Sequence, residues 1–142
     1  MRLSSRFAVA LAAAGLVLGA QDALAQAKPA PAKAAKVAKP TGDAAAGAKV
    51  FASRCVMCHT KDGGGGPMAP SLKGVYGVKA ASGDWAKYSA GLKASGLAWS
   101  EPTLDTFLAG PTKMVPGSRM MVTLPKPEDR KNVIAYLATL KK

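Results

Sequence analysis

The sequence predicts an all-α domain of about three to five helices joined by long loops. Apolar residues recur at helical spacing in three separate segments, which begin near Asp43, Ser100 and Pro127. Between these segments, glycine and proline are too frequent for a helix or strand to persist, and no segment shows the sustained alternation typical of a β-strand. Long loops in so small a domain usually accompany a bound group that completes the core.

The first helix is predicted from Asp43 to Arg54. Thr41 and Asp43 are suitable N-caps, and Gly47 lies four residues before Phe51 on one face. This helix would lead directly into the two cysteines of the chain.

The middle of the chain is predicted to be mostly irregular. Lys61 to Pro70 contains four consecutive glycines and two prolines, which neither a helix nor a strand would tolerate. Later glycines prolong this region, apart from a short helix expected around Asp84 to Leu92. Met114 to Pro125 is also expected to be irregular.

Two later segments have clear helical signals. In the first, Ser100 is a suitable N-cap and Gly110-Pro111 would end the helix. Its apolar face is Leu104, Phe107 and Leu108. The last helix would begin at Pro127, and its apolar stripe is Val133, Ile134, Leu137 and Leu140.

The N-terminus has the features of a signal peptide over residues 1–25. Arg2 and Arg6 precede a 14-residue apolar run, and Ala23-Leu24-Ala25 matches the small-x-small cleavage pattern. The alternative is a retained anchor helix, but the run is shorter than the roughly 20 residues that cross a bilayer. We therefore expect cleavage after Ala25 and export to the periplasm.

Residues 26–40 are rich in lysine, proline and alanine, with Val37 the only large aliphatic side chain. Such a segment cannot compensate its ordering entropy by burial, which predicts a disordered linker before a folded domain at 41–142. The alternative is a basic arm that touches phospholipid or a partner.

The formal net charge is +12 over 142 residues. This charge is compatible with nucleic acid, an anionic membrane surface or a protein with an acidic face. Nucleic acid is disfavoured, because the protein is predicted to be exported and no binding motif accompanies the charge. Charge alone does not choose between the two remaining classes. At most peripheral membrane contact is expected, and the chain is expected to be a monomer.

The motif Cys55-Val56-Met57-Cys58-His59 is the haem-attachment pattern C-x-x-C-H. Two thiols about one helical turn apart can add to the two vinyl groups of one haem, with the histidine beneath the iron. A structural zinc site would need a fourth ligand, and the chain supplies only two cysteines and one histidine. A thioredoxin-like thiol pair would need a βαβ unit, which the pattern lacks.

From about Gly42 to Leu140 the sequence resembles the class I monohaem cytochromes c, the short soluble electron carriers of mitochondria and bacteria. The resemblance rests on Gly47 and Phe51 together with four further segments. These are Pro70-Ser71-Leu72, Tyr88 with Gly96-Leu97-Ala98-Trp99, Pro116-Gly117-Ser118-Arg119-Met120 and Ile134-Ala135-Tyr136-Leu137.

The resemblance implies that Gly47 and Phe51 contact the last helix, and it implies a haem-binding role for several other residues. One haem c would be bound covalently by Cys55 and Cys58, with His59 and Met120 as axial ligands of the iron. The carbonyl of Pro70 would accept the hydrogen bond of the ligand histidine. The side chains that would bond the haem propionates are Tyr88 and Trp99. By the same pattern, the adjacent Met121 is filler or surface.

Three positions depart from the family pattern. Val78 stands where many members have an arginine, Phe107 where they have a tyrosine, and Leu92 at a commonly polar position. Fewer buried hydrogen bonds around the haem are expected, so the family's redox potential does not transfer to this chain.

These expectations describe a periplasmic one-electron carrier, not an enzyme. It would take electrons from a respiratory donor complex or dehydrogenase and deliver them to a terminal oxidase or reductase. In the family that this sequence resembles, lysines around the exposed haem edge dock on acidic partner surfaces. The resemblance therefore implies that the partners are acidic surfaces of membrane redox complexes or periplasmic redox enzymes. The cations expected near the haem edge for docking are Arg54, Lys113, Arg119 and Lys126. The alternatives are the haem subunit of a periplasmic dehydrogenase, a haem peroxidase, or a membrane-tethered cytochrome.

Overall fold

The computed structural model describes residues 37–60 and 62–142. The predicted signal peptide and residues 26–36 of the predicted linker lie outside the described residues. Ala38 contacts the folded domain, because the Tyr76 hydroxyl donates to its carbonyl at 2.7 Å. Contacts with the domain therefore begin a few residues before Thr41, where we expected the folded part to start.

The first helix, α1 (Ala44–Arg54), begins as the sequence predicts. The Asp43 side chain accepts hydrogen bonds from the amides of Ala45 and Ala46, at 2.8 and 3.3 Å, and so caps the helix. Cys55 ends α1 and also begins α2 (Val56–His59), a single turn. The attachment motif therefore lies on a helical extension of α1.

Four more helices follow. These are α3 (Ala90–Ala94), α4 (Glu101–Ala109), α5 (Pro111–Met114) and α6 (Pro127–Leu137). The described part of the chain thus has six helices, one more than the upper end of the expected range, because α2 and α5 are turns of only four residues. It contains no β-strand, only an isolated antiparallel bridge between Lys79 and Ala98. The predicted all-α class is confirmed.

The structure corrects three element boundaries. The helix expected around Asp84 to Leu92 begins only at Ala90, because Ser89 is extended and its hydroxyl accepts from the Leu92 amide at 3.2 Å as an N-cap. Met114, expected in an irregular stretch, ends α5, since Pro111 is well suited to start a new turn. Leu140 lies beyond α6, where its carbonyl accepts from the Gly74 amide at 2.7 Å.

The packing of α1 against α6 forms the centre of the core. Gly47 is buried at their crossing, where a Cβ atom would collide with the Asn132 carbonyl on α6. One turn later, the rings of Phe51 and Tyr136 lie 5.2 Å apart. The buried Asn132 side chain accepts from the Asp43 amide at 2.9 Å, which ties the start of α1 to α6.

On its other side, α6 packs against α4. The Arg130 side chain, 11% exposed, pairs with Asp105 of α4 at 2.7 Å. It also donates to the carbonyls of Leu124 and Pro125, both at 3.0 Å. Arg130 therefore ties the last loop to both helices. Within residues 37–60 and 62–142, no helix is long and apolar enough to cross a membrane.

Candidate cofactor-binding site

A largely apolar cavity of about 410 Å³ lies between the helices and the long loops. All seven residues that we predicted to bind the cofactor contribute to its wall. They are Cys55, Cys58, His59, Pro70, Tyr88, Trp99 and Met120. Residues 65 positions apart in the chain, from Cys55 to Met120, are thus brought to one enclosed site.

The two cysteines are placed by the junction of α1 and α2. The amides of Cys58 and His59 both donate to the Cys55 carbonyl, at 3.2 and 3.0 Å, so the motif is wound as a helical turn. Both thiols are free and half-buried. Burial raises the pKa of the Cys55 thiol to about 11, although nearby Arg54 opposes this shift. A neutral, apolar thiol differs from the low-pKa thiols of disulfide oxidoreductases.

The histidine is oriented by the loop opposite. Its Nδ1–H donates to the Pro70 carbonyl at 2.9 Å. Burial lowers the pKa of His59, and the hydrogen bond to Pro70 only partly opposes this effect. The ring is therefore neutral, and Nε2 remains available to a metal.

The loop that carries Pro70 is held by its own hydrogen bonds. The amide of Gly66 donates to the Ala69 carbonyl at 2.8 Å. Near the start of the loop, Asp62 forms an ion pair of 2.8 Å with Lys73, and this contact holds the pKa of the Asp62 carboxyl well below its usual range. The Pro70 carbonyl is thus presented by a closed loop.

The adjacent methionines differ sharply in environment. Met120 is half-buried in the cavity wall, and its amide donates to the Ser118 hydroxyl at 3.3 Å. Met121 is 80% exposed at the rim. Of the two, only Met120 has the burial that a ligand of an enclosed group requires.

The aromatic residues form the far wall. Trp99 is buried and lies 5.0 Å from Phe107, ring centre to ring centre. Its amide and carbonyl are fixed by hydrogen bonds to Val78 and Gly77, at 2.9 and 2.7 Å. Tyr88 is half-buried in the same wall.

One wall residue, Trp85, was missed by the sequence analysis. Its ring meets Tyr88 edge to face, with the ring centres 5.3 Å apart. It lies in a stretch that we read as loop or short helix, where a lone tryptophan has no periodicity to reveal it. The only signal was its position three residues before Tyr88.

The three departures from the family pattern also line the cavity. Val78, Leu92 and Phe107 all contribute apolar surface to its wall. Their placement supports our expectation of fewer hydrogen-bonding groups around the bound cofactor.

The cations that line the cavity only partly coincide with those expected near the haem edge. Arg54 and Arg119 line it, whereas Lys113 and Lys126 do not. Lys73 and Lys79, which were not among the cations expected near the haem edge, also line the wall. Pairing of Lys79 with Ala98 across the isolated bridge brings this lysine to the cavity from a distant part of the chain.

These features fit a covalently held haem. The cavity is apolar, two thiols share one helical turn on its wall, and the neutral imidazole of His59 keeps one nitrogen free. Among the described residues, no group of three or more His, Cys, Asp or Glu side chains could hold a metal ion, so a structural zinc site of the usual kind finds no ligand set there.

Comparison with known proteins agrees with this geometry. The cytochrome c family pattern matches residues 44–141. Cytochrome c of Theileria annulata is 45% identical over 103 residues, which cover 71% of this chain and 89% of that protein. For cytochrome c of Tetrahymena pyriformis, the identity is 44% over 109 residues, or 76% of this chain and 98% of the relative.

A solved structure is similar over the same region. Cytochrome cH from Methylobacterium extorquens is 45% identical, with a TM-score of 0.63, and the match covers 69% of this chain and 99% of that one. The chain therefore belongs to the cytochrome c family of electron carriers, and its cofactor is a covalent haem c for which Cys55 and Cys58 provide the C-x-x-C-H attachment motif.

Proposed function

We propose that the protein is a periplasmic one-electron carrier in which His59 and Met120 are the axial ligands of the haem iron. The observation that carries this proposal is that one apolar cavity brings together the neutral imidazole of His59 and the half-buried thioether of Met120. Bound haem c supplies a one-electron ferric–ferrous couple. Methionine is a soft, neutral ligand that favours the ferrous form.

The protein's own residues account for the rest of the function. Pro70 fixes the tautomer of His59, and the buried side chains of Trp99 and Phe107 give the cavity apolar surface. If His59 and Met120 both hold the iron, no coordination position would be left for oxygen or peroxide. This arrangement favours electron transfer over a peroxidase, and it does not require the chain to be an enzyme.

Substituting the adjacent methionines one at a time tests the assignment of the second axial ligand. Met120→Ala should abolish the weak red absorption of the oxidised sulfur–iron bond and let small ligands such as cyanide or imidazole bind rapidly. Met121→Leu is the matched control, and it should leave both properties near wild type, because Met121 is 80% exposed. If the two variants exchange these outcomes, the assigned ligand is wrong.

We further propose that the protein docks through the rim of the cavity on acidic protein surfaces. Four large apolar side chains of the described residues are exposed, and all of them lie on segments that border the cavity. They are Met57, Met68, Met121 and Val122. Exposed cations, Arg119 and Lys79 among them, line the same rim. An apolar patch with a cationic border suits a partner with an acidic border of its own.

Salt and charge reversal test this docking surface. The screening length falls from about 30 Å at 0.01 M to about 10 Å at 0.1 M ionic strength, so the second-order oxidation rate by membranes should drop steeply across this range. Lys79→Glu with Arg119→Glu should slow the reaction at low salt and flatten its salt dependence. Long-range steering of this kind changes association rates by about tenfold to a thousandfold.

The matched control is Lys49→Glu with Lys131→Glu. Both lysines are exposed and lie outside the cavity wall, and this pair changes the net charge equally. Equal losses in the two double variants would show that the overall charge, rather than the rim, attracts the partner.

We also propose that residues 1–25 direct export and are removed after Ala25. The cationic start, the short apolar run and the Ala23-Leu24-Ala25 pattern support this proposal. The mature monomer would then consist of linker residues 26–40 and the haem domain 41–142. The intact mass of the periplasmic protein should correspond to a chain that starts at Gln26, whereas a mass that includes residues 1–25 would indicate a membrane-tethered cytochrome.

A further inference from the structure

Trp85 connects two loops that are distant in sequence. Its indole Nε1–H donates to the Gly66 carbonyl at 3.0 Å, across 19 residues, in a half-buried position. The ring lines the cavity and contacts Tyr88 edge to face. Trp85 is thus hydrogen-bonded to the loop that precedes Pro70 and packed against Tyr88.

Gly66 belongs to the closed loop that presents Pro70. Its amide donates to the Ala69 carbonyl at 2.8 Å, one residue before Pro70. The loop is also close-packed, because a Cβ at Gly65 would lie 2.5 Å from the Ser71 amide nitrogen. A displacement of Gly66 would therefore be transmitted to the Pro70 carbonyl, which accepts from His59 Nδ1 at 2.9 Å.

We propose that Trp85 is a positioning residue that holds the Pro70 carbonyl against His59 and thereby adjusts the basicity of this ligand. The proposal rests on the assignment of His59 as an iron ligand under the proposed function. A hydrogen bond accepted from Nδ1–H makes the imidazole a stronger donor through Nε2, and a stronger donor favours ferric iron. Trp85 consequently lowers the midpoint potential through Gly66 and Pro70.

Trp85→Phe in the haem-loaded full chain tests this role, because it removes the N–H donor and keeps an aromatic ring against Tyr88. The midpoint potential should rise. Solvent exchange of the His59 Nδ1–H, followed by NMR, should become about fivefold faster, since one neutral hydrogen bond is worth about 1 kcal/mol. Exchange of the buried Ile134 amide is the internal reference for global unfolding.

Lys87→Met is the matched control. Lys87 Nζ donates to the Pro67 carbonyl at 3.1 Å between the same two loops, but this contact is exposed to solvent, and it is the only contact that the control removes. The control should leave the exchange of His59 Nδ1–H at the wild-type rate.

The outcomes separate the positioning role from the proposed ligation. If the wild-type His59 ring protons show no shift caused by the iron, His59 is not a ligand and the ligation proposal fails. If they are shifted, but Trp85→Phe leaves both potential and exchange unchanged, the positioning role is wrong. An equal acceleration at His59 and Ile134 would indicate general destabilisation and would also overturn it.

A wild-type measurement decides the question if Trp85→Phe does not fold. If Trp85 holds the loop, the two loops open as one unit, and Trp85 Nε1–H and His59 Nδ1–H are protected from solvent exchange to a similar degree. Protection of His59 that persists while Trp85 Nε1–H exchanges freely would show that Trp85 does not hold the loop.

Discussion

Gly47→Ala should destabilise the domain at the crossing of α1 and α6. The added Cβ would collide with the Asn132 carbonyl oxygen, and it would lie 2.5 Å from the Asn132 carbonyl carbon and 2.9 Å from Tyr136 Cβ. Because two of these atoms belong to the backbone, no side-chain rotation can relieve the collision. One of the two helices must shift.

The expected magnitude follows from two opposing effects. Overpacking of a core costs about 1–3 kcal/mol, and a backbone obstacle places this site at the upper end of that range. Alanine improves helix propensity over glycine by about 1 kcal/mol. The net loss in the free energy of unfolding is therefore about 2 kcal/mol, which lowers Tm by about 10 °C in a domain of this size.

Guanidinium unfolding of the haem-loaded protein, followed by far-UV circular dichroism, measures this loss. The matched control is Gly66→Ala, because a Cβ at Gly66 meets nothing within 4 Å. This control should stay within about 1 kcal/mol of wild type. If Gly47→Ala were as stable as wild type, the two helices would not approach as closely as the structure indicates.

Two further predictions concern charge. Val78→Arg should raise the midpoint potential, because a cation on the cavity wall disfavours the extra positive charge of ferric iron; a decrease with the fold intact would show that the new side chain points away from the haem. The ion pair with Lys73, together with hydrogen bonds from the Thr60 hydroxyl and the Gly64 amide, lowers the pKa of Asp62. The ionised carboxylate therefore stabilises the fold above its unfolded pKa of about 4, and this stabilisation is lost as the pH falls toward the folded pKa. Asp62→Asn should accordingly have a lower urea midpoint than wild type at pH 7, with a difference that narrows below about pH 4; a difference independent of pH would contradict this account.

Most of the candidate site could be selected from the sequence because its chemistry is encoded locally. Cys55, Cys58 and His59 lie within one helical turn, and a motif of that length can be identified without knowledge of the fold. Pro70, Tyr88, Trp99 and Met120 were selected by resemblance, and the structure places all of them in the same cavity wall as the motif. The experiments proposed above test the ligand role of Met120, whereas the propionate-bonding roles of Tyr88 and Trp99 stay predictions.

The cations show what a sequence cannot say about the cavity wall, although the expected docking role of Lys113 and Lys126 near the haem edge stays a prediction. Lys113 and Lys126 are close in sequence to cavity segments, yet they do not line the cavity, whereas Lys79 does. Lys79 reaches the wall because its backbone pairs with Ala98, and such a long-range contact has no signature in a single sequence.

The sequence alone determined the all-α class, the starts of α1, α4 and α6, and the attachment motif. It could do so because helical periodicity, N-caps and the spacing of two thiols are properties of neighbouring residues. The tertiary structure decided which of Met120 and Met121 is buried, where α3 begins, and which cations border the cavity. It alone revealed the contact of Trp85 with Gly66. These features depend on loops that lack periodicity, and the conformation of such loops is set by hydrogen bonds and packing between residues far apart in the chain.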